Sequence, residues 1–320
     1  ASPDREPTNV ILTLTPSPTV DFSAEVPALV PDRKLRAGIS AFQPGGGGVN
    51  VSRTLHDLGV DTTAVVAVGG LPGEIVVSRL AALGIDTLAV PTHADTRWAE
   101  MLRDQSTGLQ YRIIADTPAL AEDEWQACIA AVEARAADPL RPASHVVLSG
   151  SVPHDVPDLF VHQLAQVCAR LAVPFVVDTS GPALAAAVAA GVDLIKPSRG
   201  ELAALVGVGT RELDHVGAAR DLVRRGVGVV AVSLGADGAF VASAEAEVRL
   251  RPPAEDVVST VGGGDAMVAG ILAGLEWGRS MLDAARYGVA LASATCLTSA
   301  GEPAREDDVT RLDTLLAAGS

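Results

Sequence analysis

Residues 259–270, STVGGGDAMVAG, set a single acid, Asp265, directly behind three glycines and ahead of a run of small and apolar residues. Glycines at 262–264 let successive backbone N–H groups face one way, and a helix starting near Asp265 adds the partial positive charge of its N-terminus. Such a combination binds anions. A carboxylate beside it can orient an attacking hydroxyl and take its proton, while the amides of Gly262, Gly263 and Gly264 stabilise a phosphoryl group in transfer. The other reading of Asp265 is a helix cap, a common and stabilising role for aspartate. A second glycine cluster, PGGGGVNVSRTLHDLG at 44–59, needs a different account. It is not a Walker A motif, because Gly48 is followed by Val49 and Asn50, and it lacks the third glycine of the dinucleotide fingerprint. What it offers is a backbone free of side chains at 45–48, open to close approach by a ligand, and Asn50 at a helix start, where an amide can bond hydroxyls.

The elements that must position these residues follow from hydrophobic patterning. Short, nearly continuous apolar runs at 10–16, 62–70, 86–91, 145–151, 174–180, 193–198 and 227–235 read as strands covered on both faces. Helical patterns lie between and after them, near 49–58, 73–83, 122–136, 156–171, 214–225, 265–277 and 281–296. The alternation predicts an α/β fold with a doubly wound, mostly parallel sheet flanked by helices. Two stretches break the rhythm, 21–44 and 96–115, and are expected to form a small β lid on one edge. Ligands of such sheets bind beyond the carboxyl ends of the strands, where Asp21, Gly69, Gly70, residues 149–151, 178–180 and 196–201, and 233–235 fall.

Composition excludes several classes. Of 320 residues, 48% are hydrophobic, so a large core can form. A net charge of −15 argues against a nucleic-acid partner, although a local basic cluster can still hold a small anion. No apolar run approaches a membrane span; the longest, 183–192, is rich in alanine and bounded by Pro182 and Asp193. Residues 1–8 read as a loose tail without the features of a signal peptide, which makes the cytoplasm the default location. Cys128, Cys168 and Cys296 have neither disulfide nor zinc spacing and read as small buried hydrophobes. Only two lysines occur among the 24 basic residues, Lys34 and Lys196, so the place of each invites a question.

Together these motifs resemble those of the ribokinase-like sugar kinases, the PfkB family, across residues 9–317. Both family signatures are present, PGGGGVNVSRTLHDLG with VAVGGLPGE after it, and STVGGGDAMVAG, in which GGGD stands for the usual GAGD. TPSPTVD (15–21), LSGSVP (148–153), VVDTSG (176–181), IKPSRGEL (195–202) and VSLGADGAF (232–240) add to the match. The resemblance implies one ribokinase-like kinase domain over 9–320. It implies Asp265 as base, with Asp21, Gly46, Gly47 and Asn50 around the sugar hydroxyls. Lys34, Arg36, Arg97 and Ser151 would meet a sugar phosphate, as in the family's phosphosugar branch. Lys196, Ser198, Glu201, Ser233, Gly235 and Gly238 match positions around ATP. Glu201 would reach Mg2+ through water, with Ser198 replacing the asparagine of the family's Asn-x-x-Glu motif, and backbone oxygens of Ser259 and Val261 would hold a monovalent cation such as K+. His154, where many relatives have proline, reads as a solvated loop residue. The basic DRKLR at 32–36 resembles the cationic contacts of that phosphosugar branch, and the likeness of the run GGGG favours fructose 6-phosphate as acceptor, with fructose 1-phosphate and tagatose 6-phosphate as alternatives. A homodimer through the lid is expected, and a non-catalytic sugar-phosphate or nucleotide sensor is the alternative of another class.

Overall fold

The computed structural model describes residues 9–318, so the tail expected over 1–8 lies outside it. In chain order the strands and helices are β1 (Val10–Thr15), β2 (Thr19–Val26), β3 (Gly38–Gly45), α1 (Gly47–Asp57), β4 (Thr62–Val68), α2 (Gly70–Ala82), β5 (Asp86–Pro91), β6 (Arg97–Asp104), β7 (Gln110–Ile114), α3 (Glu122–Ala136), β8 (Ala143–Ser149) and α4 (Leu159–Leu171). They continue with β9 (Phe175–Asp178), α5 (Gly181–Ala190), β10 (Leu194–Ile195), α6 (Arg199–Val206), α7 (His215–Arg224), β11 (Val229–Ser233), β12 (Ala239–Ser243), β13 (Glu247–Leu250), α8 (Gly263–Glu276), α9 (Met281–Thr295) and α10 (Glu306–Ala318).

Nine strands form the main sheet in the order β13-β12-β11-β10-β9-β8-β1-β4-β5. From β11 to β5 every pairing is parallel, and only β12 and β13 add antiparallel strands at one edge. Alternate residues of each strand face opposite layers. Leu12, Leu14, Val146 and Leu148 pack under α3–α7 with Trp125 and Phe160, while Ile11, Val147 and Val176 face α1, α8, α9 and α10. Strands buried on both sides need no polar alternation, which is why β1 and β4 are apolar or threonine throughout. α5 and α6, and the antiparallel pair β12–β13, were not among the elements expected from periodicity; the alanine-rich α5 carries no distinct apolar stripe, and α6 is only eight residues long.

A second sheet of four strands, β3-β2-β6-β7, is built from 19–26, 38–45, 97–104 and 110–114. β2 runs parallel to β6 and antiparallel to β3, and β6–β7 is a hairpin. Asp104 closes that hairpin by accepting from the Ser106 hydroxyl and the Ser106 and Thr107 amides. Phe22, Phe42 and Trp98 meet in tilted and edge-to-face contacts on one face of the sheet, and every residue of β7 is exposed.

Two contacts fix the helices that matter for the site. Ser52 on α1 exchanges hydrogen bonds with Thr13 (2.8 Å) and Thr62 (2.9 Å), tying the helix to β1 and β4 through a buried hydroxyl chain. α8 and α9 approach closely at Gly270 and Gly288, where a Cβ on Gly270 would lie 2.7 Å from the Gly288 Cα.

Candidate active site

Asp265 sits in the first turn of α8, whose N-cap is Gly262 at φ 81. That left-handed conformation is open to glycine, so Asp265 itself is not the cap. Its Oδ2 instead accepts from Asn50 Nδ2 at 2.8 Å, a bond spanning from the first turn of α1 to the first turn of α8. Burial pushes the Asp265 carboxyl up to about 7, and neighbouring Asp178 adds to the rise, while Asn50 and Lys196 oppose it. The glycines of both motifs are crowded by functional groups. A Cβ on Gly264 would lie 3.2 Å from Lys196 Nζ, and one on Gly263 would lie 3.2 Å from Cys296 Sγ. Gly45 lies against the Asp21 carboxylate, Gly46 against Thr15 and Pro18, and Gly47 against Ser149 and Gly150. The GGGG run is thus held between β1, β2 and β8.

On one side of Asp265 lies a hollow lined by Ser149–Ser151, Asp178–Ser180, Lys196, Glu201, Gly264 and Asp265. Lys196, only 5% exposed, pairs with Asp178 at 3.1 Å. Burial would lower its pKa, but the carboxylates of Asp178, Glu201 and Asp265 prevail and raise it, so the ammonium is kept. Ser198 caps α6, its Oγ accepting from Glu201 N, and Glu201 Oε2 accepts in turn from Ser198 N at 2.7 Å. One Glu201 oxygen is therefore engaged in the cap. Ser149 Oγ is buried in the hollow with no protein partner. A buried ammonium, a helix N-terminus and an orphan hydroxyl facing one space fit the phosphates of a nucleotide. Among the described residues no group of three or more His, Cys, Asp or Glu side chains is placed to hold a metal ion.

Asn50 lines a second cleft on the other side, with Asp21, Arg53, Arg112, Val261, Gly262 and Gly301. Burial raises the Asp21 carboxyl, against the Thr19 hydroxyl and the guanidiniums of Arg53, Arg112 and Arg97. Arg97 lies off this cleft, donating to Thr117 Oγ1 at 2.9 Å; its Nε is buried without a partner. Thr117 lines a further hollow with Ser151 and exposed His154. Lys34 and Arg36 lie on the exposed segment between β2 and β3 and line none of these spaces.

The remaining assignments scatter more widely. Ser233 ends β11 beside Ser198, Gly235 follows in the turn before β12, and Gly238 is required by packing, since a side chain there would overlap the Leu250 carbonyl. Val258 N and Ser259 N donate to Cys296 O, so Ser259 and Val261 sit on the loop that leads into the nest. Cys296 is half-buried, unlike Cys128 and Cys168, and packs beside Gly263. Asp178, Arg53 and Arg112 were not assigned from sequence. Asp178 does fall at a strand end, the class of position that the parallel sheet singles out, and Arg53 follows Asn50 by three residues on α1.

Residues 16–307 match the family described as pfkB family carbohydrate kinase. The ATP-dependent 6-phosphofructokinase isozyme 2 of Mycobacterium tuberculosis (strain ATCC 25618 / H37Rv) is 37% identical, over 96% of this chain and 90% of that protein. A 1-phosphofructokinase of Rhodobacter capsulatus is 34% identical, over 91% of this chain and 90% of its own. Phosphofructokinase-2 from Escherichia coli superposes with a TM-score of 0.89 in its complex with potassium, at 34% identity. In its complex with fructose-6-phosphate the TM-score is 0.86 at 33% identity; both cover 97% of this chain and 100% of the other.

Proposed function

The chain belongs to the pfkB family of carbohydrate kinases, and from that premise we propose that it transfers the γ-phosphoryl group of ATP to fructose 6-phosphate, giving fructose 1,6-bisphosphate and ADP. The observation that carries the reading is the Asn50–Asp265 bond, which stands between two hollows at the N-terminus of α8. One hollow has the buried Lys196 for phosphates and the other has Asp21 and Asn50 for hydroxyls. In this mechanism the sugar hydroxyl gives its proton to the Asp265 carboxylate as its oxygen bonds the γ-phosphorus. The bond from that phosphorus to the bridging oxygen breaks, and ADP leaves. A base titrating near 7 suits this step, because a substantial fraction is ionised at neutral pH and that carboxylate is basic enough to accept a proton. The amides of Gly262–Gly264 face the charge that develops on the transferred group.

Mg2+ arriving with ATP would neutralise phosphate charge, held through water by Glu201 and Asp178. Backbone oxygens of Ser259 and Val261 are our candidates for a monovalent cation, supported by the relative's potassium complex. Ser198, Ser233, Gly235 and Gly238 remain assigned to the nucleotide. Arg97 and Ser151 are our candidates for the sugar phosphate, and Lys34 and Arg36 would reach it if the second sheet closed as a lid. The sheet's exposed Phe42, Trp98, Tyr111 and Ile113, which share one face, support pairing with a second copy. Cytoplasm, where ATP and hexose phosphates occur, is the proposed location. Measuring kcat/KM for fructose 6-phosphate, fructose 1-phosphate and tagatose 6-phosphate tests the acceptor. Fructose 6-phosphate should lead, and a lead for fructose 1-phosphate would instead favour the activity named for the Rhodobacter relative.

A further inference from the structure

α1 presents two polar side chains three residues apart on one face: Asn50, which meets Asp265, and Arg53. The half-buried Arg53 guanidinium donates through Nη1 to Pro44 O at 3.3 Å. Through Nη2 it donates to Gln43 Oε1 and to Gly301 O, both at 3.0 Å. Two of these acceptors are at the end of β3 and the third is on the loop between α9 and α10. Gln43 is the register partner of Asp21 across β2–β3, and Gly45, two residues further, lies against the Asp21 carboxylate. Gly301, at φ +82, abuts the Gln43 side-chain amide, so the loop and the strand end touch directly where the guanidinium joins them. A planar fork with five donors in fixed geometry holds separate segments in one arrangement, whereas the three donors of a compact ammonium on a flexible stem impose no such geometry. None of the residues holding the other hollow is among its partners: Lys196, Asp178 and Glu201 are fixed by β9, β10 and α6.

We propose that Arg53 is a positioning residue that pins the end of β3 and the Gly301 loop to α1, and thereby sets Asp21 for the sugar opposite Asn50 and Asp265. Its kinetic consequence rests on the phosphosugar reading above; its mechanical consequence does not. The test combines both in Arg53→Met, Arg53→Lys and Arg53→Ala. In Arg53→Met, amides of 38–45 and 299–303 should exchange hydrogen faster while those of β9 and β10 keep wild-type rates. KM for fructose 6-phosphate should rise roughly ten- to hundredfold, with KM for ATP within about twofold of wild type. Arg53→Lys should resemble Arg53→Met, and millimolar guanidinium should restore part of the sugar affinity of Arg53→Ala where sodium chloride does not. Unchanged exchange in 38–45 and 299–303 would overturn the proposal, as would a wild-type Arg53→Lys or an equal loss of affinity for both substrates. If exchange responds as stated but the wild type phosphorylates no hexose phosphate, the pin stands and the acceptor assignment falls.

Discussion

At the scale of single residues, Asp265 is defined by what surrounds it. The carboxyl is buried beside Asp178 and Lys196, receives Asn50 and titrates near 7 rather than at 3.8. Since the base must be ionised to take a proton, kcat/KM for the sugar should climb as pH rises through about 7 in the free enzyme. A flat profile from pH 6 to 8 would remove that assignment. Asp265→Asn should lower kcat by roughly two or more orders of magnitude with little change in sugar binding. The same substitution has a stability signature. A carboxyl whose folded pKa is raised contributes most below its unfolded value, and that contribution is lost as pH climbs to about 7. The melting temperature of Asp265→Asn relative to wild type should therefore increase from pH 5 to pH 8, and an unchanging difference would show the carboxyl is not strained by burial. Arg97 is a separate case, donating to Thr117 at the edge of the hollow that Ser151 lines. Arg97→Ala should raise KM for fructose 6-phosphate about tenfold or more and spare KM for ATP; an unchanged sugar KM would deny it a phosphate contact.

At the scale of elements, the start of α8 is where sequence and packing meet. Gly263 stands where GAGD relatives have alanine, and the structure supplies a reason in Cys296, whose Sγ would be 3.2 Å from an added Cβ. Gly→Ala inside a helix gains roughly 0.5–1 kcal/mol from propensity, so the sign of Gly263→Ala depends on whether Cys296 yields. A double-mutant cycle should find Gly263→Ala more stabilising by at least about 0.5 kcal/mol in a Cys296→Ala background, and strict additivity would mean the two side chains do not compete. The parallel strands were legible because residues buried on both faces leave unbroken apolar runs, as in β1, β4 and β11. α5 hid its helix in an alanine run, and β10 has only two residues of ladder where a six-residue strand was expected. Glycine motifs and strand-end polar residues marked much of the candidate site. Arg53 and Arg112 escaped, Arg53 because its partners Gln43 and Gly301 come from distant segments, and Asp178 was marked as a strand end without its partner Lys196. No local pattern announces such partners.

At the scale of the whole molecule, the main sheet carries one substrate hollow beyond its strand ends, and the four-stranded sheet walls the other with Asp21, Ala99 and Arg112. That second sheet leaves Ile113 57% exposed on the face it shares with Tyr111, Phe42 and Trp98, an apolar surface unusual for a sheet facing water. Light scattering should give at least twice the mass of the 32.6 kDa chain, and replacing Ile113 with lysine should shift the protein toward monomer; a monomeric wild type would separate the sheet from assembly. The central claim concerns what passes between the two hollows. Its most direct measurement is ADP release by the purified protein with Mg2+, ATP and fructose 6-phosphate, with the sugar product identified. The account predicts ADP and fructose 1,6-bisphosphate in equal amounts, formed roughly a hundredfold or more slowly in Asp265→Asn; binding of the sugar phosphate without any ADP would contradict it.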